Sequence, residues 1–213
     1  DLSNSSMNKG ETLENTLEAM EMMGMDLCIL RHTESVIHDF VKNFSNMQFI
    51  NAGEGSISHP TQTLIDLMTI RESKQKFDNL KITIVGDLDH SRVVSSFIEG
   101  IQIAGYKSIT FCGHPDLCKN FIDSPIGNFE SELETALQDA DIVMALRIQN
   151  ERLSEKLSIG AKDYIDRYQI NVDSLQVADP EMILLHPGPV NFGIELSKEA
   201  SELENCKIRN QIF

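Results

Sequence analysis

Apolar residues recur along the chain at two spacings, one typical of helices and one typical of short buried strands. Apolar runs predict strands in the segments DLCILR, MQFINA, LKITIVGDL, KSITFCG, DIVMAL and MILLHP. Helical spacing predicts helices at KGETLENTLEAMEMM, residues 35–44, residues 59 to about 72, the stretch after LKITIVGDL, and ESELETALQDA. Strands that alternate with helices are typical of parallel sheets covered by helices on both faces. The pattern therefore predicts an α/β fold.

Two of the predicted helices have clear inward faces. The helix at residues 35–44 would bury Val36, Phe40, Val41 and Phe44. The helix after LKITIVGDL would bury Val93, Val94, Phe97, Ile98 and Ile101. The charged segment ESKQKFDN lies between these helices and is the best candidate for a domain boundary. We place that boundary between residues 74 and 75.

Polar side chains follow the predicted strands at the point where each strand ends. These positions are Arg31 and His32, residues 51–59, Asp87 and Arg92, Arg147 and Gln149, and residues 186–189. Ligands of open parallel sheets bind beyond the carboxyl ends of the strands, so we expect these groups to surround one ligand site. The segment VGDLDHSR is not a dinucleotide fingerprint, because it lacks the pattern G-x-G-x-x-G.

Composition narrows the class of protein. The chain has 213 residues, of which 41% are hydrophobic and 24% charged, and its formal net charge is −15. This acidity opposes nucleic-acid binding, which needs a basic surface, but it leaves room for a locally basic pocket. No apolar run is long enough to cross a bilayer, and the first residues do not resemble a signal peptide. We therefore expect a cytoplasmic protein that binds neither nucleic acid nor membranes.

Four cysteines show no paired framework and suit a reducing compartment. Cys112, His114 and Cys118 could suggest a metal site, but their spacing fits no common zinc pattern and a fourth ligand is missing. We expect no metal there, and we interpret His90 and His114 as surface residues.

The segment NAGEGSISHPTQTLID, residues 51–66, holds the densest group of candidate ligand residues. Gly53 and Gly55 loosen the backbone before His59, and Pro60 suits the first turn of a helix. A histidine at that place can donate a hydrogen bond to a carbonyl oxygen, while Gln62 offers both a donor and an acceptor. A helix N-terminus also favours negative charge. The residues alone predict a site for a small, polar, anionic carbonyl compound.

The same segment resembles the signature of aspartate carbamoyltransferase catalytic chains, in the aspartate/ornithine carbamoyltransferase family. Further motifs occur in the order that this family requires, namely SSMNKGET, LRH, VGDLDHSRV, LRIQNER and LLHPGPVNFG. The resemblance implies two doubly wound, Rossmann-like domains: a partial carbamoyl phosphate-binding domain at residues 1–74 and an aspartate-binding domain at residues 75–213. It also implies transfer of a carbamoyl group from carbamoyl phosphate to L-aspartate, in pyrimidine biosynthesis, without a metal or organic cofactor.

The resemblance assigns five residues to carbamoyl phosphate. His59 would polarise the carbamoyl carbonyl oxygen, and Arg31 would reach both that oxygen and the phosphate. A guanidinium suits such bidentate contacts. The carbamoyl NH2 group would bind Gln62 and the backbone carbonyls around Pro187 and Gly188.

Five more residues are assigned to aspartate or to a shared site. Arg92 would bind the α-carboxylate side of aspartate, and Arg147 with Gln149 would bind its side-chain carboxylate. Ser5 and Lys9 match a loop that family members donate to the neighbouring subunit, where both would contact carbamoyl phosphate and Lys9 also aspartate. The resemblance therefore implies a homotrimer with composite active sites.

The chain also departs from the family pattern. The Ser-x-Arg-Thr phosphate-binding turn and the C-terminal helix of the family do not occur in it, so we expect an internal fragment with an incomplete first domain. Phe192 stands where many relatives carry Arg. The missing turn leaves open a catalytically silent protein with an assembly role. Ornithine carbamoyltransferase is disfavoured, because that enzyme typically has His-Cys-Leu-Pro where this chain has HPGP. Regulatory chains or a dihydroorotase partner are left open.

Overall fold

The computed structural model describes residues 12–148 and 160–212, and within them seven strands form two parallel sheets. The smaller sheet pairs β1 (Leu27–His32) with β2 (Gln48–Glu54). The larger has the order β5-β4-β3-β6-β7 and is built from Lys81–Val85 (β3), Ser108–Cys112 (β4), Asn128–Glu130 (β5), Ile142–Ala145 (β6) and Ile183–Leu185 (β7). Every pairing in both sheets is parallel, which confirms the predicted α/β fold.

Helices connect the strands as a parallel sheet requires. They are α1 (Leu13–Met22), α2 (Ile37–Val41), α3 (Pro60–Lys74), α4 (Arg92–Ala104), α5 (Leu133–Leu137), α6 (Ala161–Tyr168) and α7 (Lys198–Ser201). Short 3₁₀ turns occupy Pro115–Leu117 and Ser174–Val177. In the described part of the chain, no helix is both long enough and apolar enough to cross a bilayer.

Each sheet has its own hydrophobic core. The larger core lies on both faces of the five-stranded sheet, and the predicted inward face of α4 is buried in full. The smaller core packs α1 and α2 against β1 and β2 and contains Leu13, Leu17, Leu30, Ile37, Phe44 and Met47. Helix α3 joins the two halves, because its residue Ile70 belongs to the larger core while its N-terminus follows β2.

The contact between α3 and α4 is close. A Cβ atom at Gly100 of α4 would lie 2.5 Å from Cγ2 of Thr63 on α3, so only glycine allows this approach. As a result, the N-terminus of α4 with Arg92 lies beside the loop that leads into α3.

Three predictions about local structure are wrong. The helix predicted at residues 35–44 spans only Ile37–Val41, and Val41 is 46% exposed because Ile37, not Val41, turns towards the core. Phe44 is still buried, although a turn rather than a helix places it there. His114 is 6% exposed and packs edge-on against Tyr168 at 6.3 Å between ring centroids, so it is no surface residue. Strand β5 and helix α7 were not predicted, because both are too short for a periodic signal.

Candidate active site

The loop that follows β2 is held in place by its own polar side chains. The side-chain amide of Asn51 donates to Oε2 of Glu54 and to Oγ of Ser58, each at 3.1 Å, and its Oδ1 accepts from the N–H of Gly53 at 2.8 Å. The buried Glu54 accepts from the N–H of Ile37 at 2.7 Å through its other oxygen. These bonds satisfy the polar groups of the loop and fix the path of the chain towards His59.

His59 caps α3, which begins at Pro60. Its backbone N–H donates to Oγ of Ser96 at 2.8 Å, and this bond ties the cap to α4. Its Nδ1 accepts from the backbone N–H of Gln62 at 3.4 Å. A backbone N–H can only donate, so the hydrogen-bond geometry assigns the proton of the neutral ring to Nε2. His59 therefore presents a donor on the side of the ring away from the helix.

Burial and two nearby arginines favour the neutral form of this imidazole. Burial lowers the pKa of His59, and the charges of Arg92 and Arg31 lower it further. Burial also lowers the pKa of Arg92, with a contribution from Arg31. A neutral imidazole that donates from Nε2 can polarise a carbonyl oxygen without having to release a proton. We call the side chains of Arg31, His59 and Arg92 the cationic cluster.

Gly53 allows the cationic cluster to form. A Cβ atom at this position would lie 3.3 Å from Cζ of Arg92 and 3.3 Å from Cδ2 of His59. The φ angle of Gly53 is also +120°, in a region that other residues rarely adopt. Glycine is therefore needed both for the backbone conformation and for the close approach of the two side chains.

Arg31 lies in an irregular part of the smaller sheet. The pairing of β1 with β2 shifts register between Leu30 and His32, so Arg31 lies at the irregularity, and it is exposed. Arg92 donates from Nη1 to the carbonyl oxygen of Gly55 at 3.1 Å. Within residues 12–148 and 160–212, neither guanidinium forms an ion pair with a carboxylate. The cationic cluster can thus accept an anion from outside the protein.

A small cleft continues the site along the edge of the larger sheet. Its volume is about 160 Å³, and it lies where β3, β6 and β7 end. It is lined by Asp87, His90, Ser91, Arg92, Val93, Leu146, Arg147, Pro187 and Gly188. Arg92 belongs to both the cleft and the cationic cluster, so the two form one continuous site. A larger cavity of about 800 Å³ is lined by none of the predicted site residues, so we do not assign the active site to it.

His90 lines the cleft, which the sequence analysis did not predict. Its Nδ1 lies 2.7 Å from Oδ1 of the buried Asp87, and both residues line the cleft. Their position directly after β3, three residues apart, was the signal that could have identified the pair.

Gln62 and two partners form a second group that the sequence did not reveal as a whole. The Nε2 of Gln62 donates to Oδ1 of Asp66 at 2.8 Å, one helical turn further along α3. The Nε2 of Gln211 donates to the same oxygen at 2.7 Å. An aspartate between the apolar residues Ile65 and Leu67 was a signal for Asp66, whereas nothing in the sequence links Gln211 to this helix.

The structure thus brings together most of the predicted site residues that it describes. Arg31, His59 and Arg92 form the cationic cluster, Gln62 follows His59 in the first turn of α3, and Arg147, Pro187 and Gly188 line the cleft with Arg92. Ser5, Lys9 and Gln149 lie outside the described residues. Phe192 is 56% exposed and does not line the cleft.

Among the described residues, the arrangement of side chains does not support metal binding. Among these residues, no group of three or more His, Cys, Asp or Glu side chains is arranged to hold a metal ion. The thiols of Cys112 and Cys118 are buried, and burial raises the pKa of Cys112 to about 12. Such a thiol does not readily become the thiolate that a metal ligand or nucleophile needs.

Two protein-family models together match nearly the whole chain. Residues 1–72 match the family model described as aspartate/ornithine carbamoyltransferase, carbamoyl-P binding domain. Residues 78–212 match the model described as aspartate/ornithine carbamoyltransferase, Asp/Orn binding domain.

Individual relatives agree with these matches. The aspartate carbamoyltransferase catalytic subunit of Koribacter versatilis is 40% identical over 210 residues, which cover 98% of this chain and 69% of that protein. The subunit of Natranaerobius thermophilus is 40% identical over 209 residues, covering 98% of this chain and 66% of that protein. The chain therefore spans about two thirds of the length of these relatives.

Solved structures confirm the fold. Aspartate transcarbamoylase from Trypanosoma cruzi in complex with carbamoyl phosphate superimposes with a TM-score of 0.84 at 24% identity, covering 100% of this chain and 69% of that one. Its complex with N-(phosphonacetyl)-L-aspartic acid gives the same values. With the family matches and the 40% identical relatives, this likeness establishes that the chain belongs to the aspartate/ornithine carbamoyltransferase family.

Proposed function

We propose that the full-length protein transfers the carbamoyl group of carbamoyl phosphate to the amine of L-aspartate and releases N-carbamoyl-L-aspartate and phosphate. The observation that carries this proposal is the cationic cluster. In it, burial and two nearby arginines lower the pKa of His59, and neither arginine pairs with a carboxylate among the described residues. The family membership and the names of the bacterial relatives support the same reaction.

Carbamoyl phosphate fits the cationic cluster. The phosphate and the carbonyl oxygen would both contact Arg31, since a guanidinium carries several donors in one plane. The Nε2–H of His59 would donate to the carbonyl oxygen, where negative charge grows in the tetrahedral intermediate. Gln62 and the backbone carbonyls of Pro187 and Gly188 would bind the NH2 group and fix the plane of the carbamoyl moiety.

Aspartate fits the adjoining cleft. Arg92 would bind its α-carboxylate side, and Arg147 with Gln149 would bind its side-chain carboxylate. The uncharged amine would then face the carbonyl carbon held by the cationic cluster. A C–N bond forms, the bond between that carbon and the phosphate oxygen breaks, and the departing phosphate takes up the proton that the amine loses. The proximity of the two substrates supplies a large share of the rate enhancement.

We further propose a homotrimer with composite sites, to which Ser5 and Lys9 come from the neighbouring subunit. In this proposal residues 1–74 belong to the carbamoyl phosphate-binding domain and residues 75–213 to the aspartate-binding domain. The protein would act in the cytoplasm, in pyrimidine biosynthesis. Light scattering of the full-length protein tests the assembly, and a monomer that is fully active would contradict shared sites.

The reaction is tested by measuring phosphate release from carbamoyl phosphate by the full-length protein. We expect release that depends on L-aspartate and that is negligible with L-ornithine. Release that depends on ornithine would identify the other branch of the family. The absence of release with either amino acid would support a catalytically silent protein and would contradict the proposal.

A further inference from the structure

Asp66 is a buried carboxylate that none of the assigned roles uses. It lies on α3, is 0% exposed, and receives two hydrogen bonds on one oxygen, from Nε2 of Gln62 at 2.8 Å and from Nε2 of Gln211 at 2.7 Å. Its other oxygen, Oδ2, has no hydrogen-bond partner within the described residues. A buried carboxylate is costly, so its retention beside a ligand-binding glutamine calls for an explanation.

The orientation of Gln211 is fixed independently of Asp66. Its Oε1 accepts from the backbone N–H of His186 at 2.9 Å. A backbone N–H can only donate, so the oxygen of Gln211 must face His186 and its NH2 group must face Asp66. Asp66 Oδ1 is therefore an acceptor at this contact.

The orientation of Gln62 follows from that of Gln211. An ionised carboxylate can only accept hydrogen bonds, so Gln62 also must turn its NH2 group towards Asp66. Its carbonyl Oε1 then points the other way, as an acceptor, one turn after His59. If the Gln62 amide were reversed, it would present donors at the place where the carbamoyl NH2 group, itself a donor, is expected to bind.

We propose that Asp66 is a positioning residue that fixes the Gln62 amide with its oxygen towards the ligand, and that it thereby makes the site select an acyl phosphate bearing an NH2 group over one bearing a methyl group. This inference rests on the proposed function. Acetyl phosphate is the matched competitor, because it has a methyl group where carbamoyl phosphate has NH2 and cannot donate to Gln62. A site that hydrogen-bonds a substrate NH2 rejects an analogue that lacks it.

The experiment compares kcat/KM for carbamoyl phosphate with kcat/KM for acetyl phosphate, with L-aspartate as the acceptor and phosphate release as the readout for both. Asp66→Leu removes the acceptor, and we expect the ratio of the two values to fall about tenfold. Asp66→Asn keeps one oxygen but loses the charge, and we expect a fall of about threefold, since charge-assisted hydrogen bonds are roughly twice as strong as neutral ones. Glu72→Gln, the same change from carboxylate to amide at an exposed position of α3, should leave the ratio unchanged.

A purely structural role would change stability and both kcat/KM values together, without changing their ratio. An unchanged ratio in Asp66→Asn would therefore overturn the inference, even if Asp66→Leu failed to fold. In a Gln62→Leu background, Asp66→Asn should have no further effect on the ratio, and a further fall would show that Asp66 does not act through Gln62. If the wild-type protein does not use carbamoyl phosphate at all, the proposed function fails as well. If it does, and the variants keep its ratio, only the inference fails.

Discussion

The buried carboxylate of Asp66 predicts how the stability of the protein changes with pH. Burial raises the pKa of Asp66 from 3.8 to about 6, although hydrogen bonds from Gln62 and Gln211 oppose the shift. The unfolded chain gives up this proton near the lower value and the folded protein near the higher one. Between these two values the folded protein binds more protons at this site, so the free energy of unfolding falls as the pH rises.

The size of the effect follows from the shift in pKa. A shift of about two pKa units at roughly 1.4 kcal/mol per unit amounts to about 3 kcal/mol. Asp66 is fully buried, so solvent screening does not reduce this value. The contribution is fully favourable below about pH 4, is lost between about pH 4 and 6, and stays absent above that range.

Urea denaturation of the wild type and of Asp66→Asn at a series of pH values measures this contribution of Asp66 to the free energy of unfolding. The variant cannot titrate at this position, so the difference between the two free energies of unfolding should change by about 3 kcal/mol across the window, in the direction that favours the wild type at low pH. Asp123→Asn makes the same substitution at an exposed residue and controls for the change of side chain. A difference between wild type and Asp66→Asn that is constant from pH 4 to 7 would refute the reasoning.

Three further predictions concern the active site itself. His59→Ala should lower kcat about 100-fold in the phosphate-release assay, because the donor to the growing oxyanion is lost. The circular dichroism spectrum should not change. An unchanged kcat would remove His59 from the mechanism. Gly53→Ala should lower kcat/KM, and it should lower the free energy of unfolding in urea by about 1–3 kcal/mol. The positive φ angle is strained for alanine, and the new methyl group displaces His59 and Arg92. A fully active and equally stable variant would contradict this packing. Arg147→Ala should raise KM for aspartate about tenfold or more with little change for carbamoyl phosphate, in steady-state kinetics with Arg71→Ala as an exposed control, and equal losses for both substrates would count against its role.

Local patterns in the sequence were sufficient to predict four of the five strands of the larger sheet, β3, β4, β6 and β7. The run LKITIVGDL forms β3, and the five α4 positions that were predicted to face inward are all buried, because both elements lie in one core where burial dictates the pattern. The prediction of a helix at residues 35–44 was wrong because this segment lies at the margin of the smaller core. There a short helix and a turn bury Ile37 and Phe44 without helical periodicity.

The site could be predicted only in part. Parallel strands end at one edge, so the polar residues that follow β3, β6 and β7 meet in the cleft, as their positions implied. The lowered pKa of His59 results from burial and from two arginines on β1 and α4, and both are properties of the folded chain. The contact of Asp66 with Gln211 joins residues 145 positions apart, and no local rule could have paired them.

The central claim is that Arg31, His59, Arg92 and Arg147 together bind one phosphoryl dianion beside one dicarboxylate. Calorimetric titration of the full-length protein with N-(phosphonacetyl)-L-aspartate, which carries a phosphonate and a dicarboxylate in one molecule, tests it most directly. We predict saturable binding of about one ligand per chain, weakened at least about 30-fold by Arg92→Ala and unaffected by Arg71→Ala. No measurable binding, or binding that Arg92→Ala leaves intact, would contradict the account.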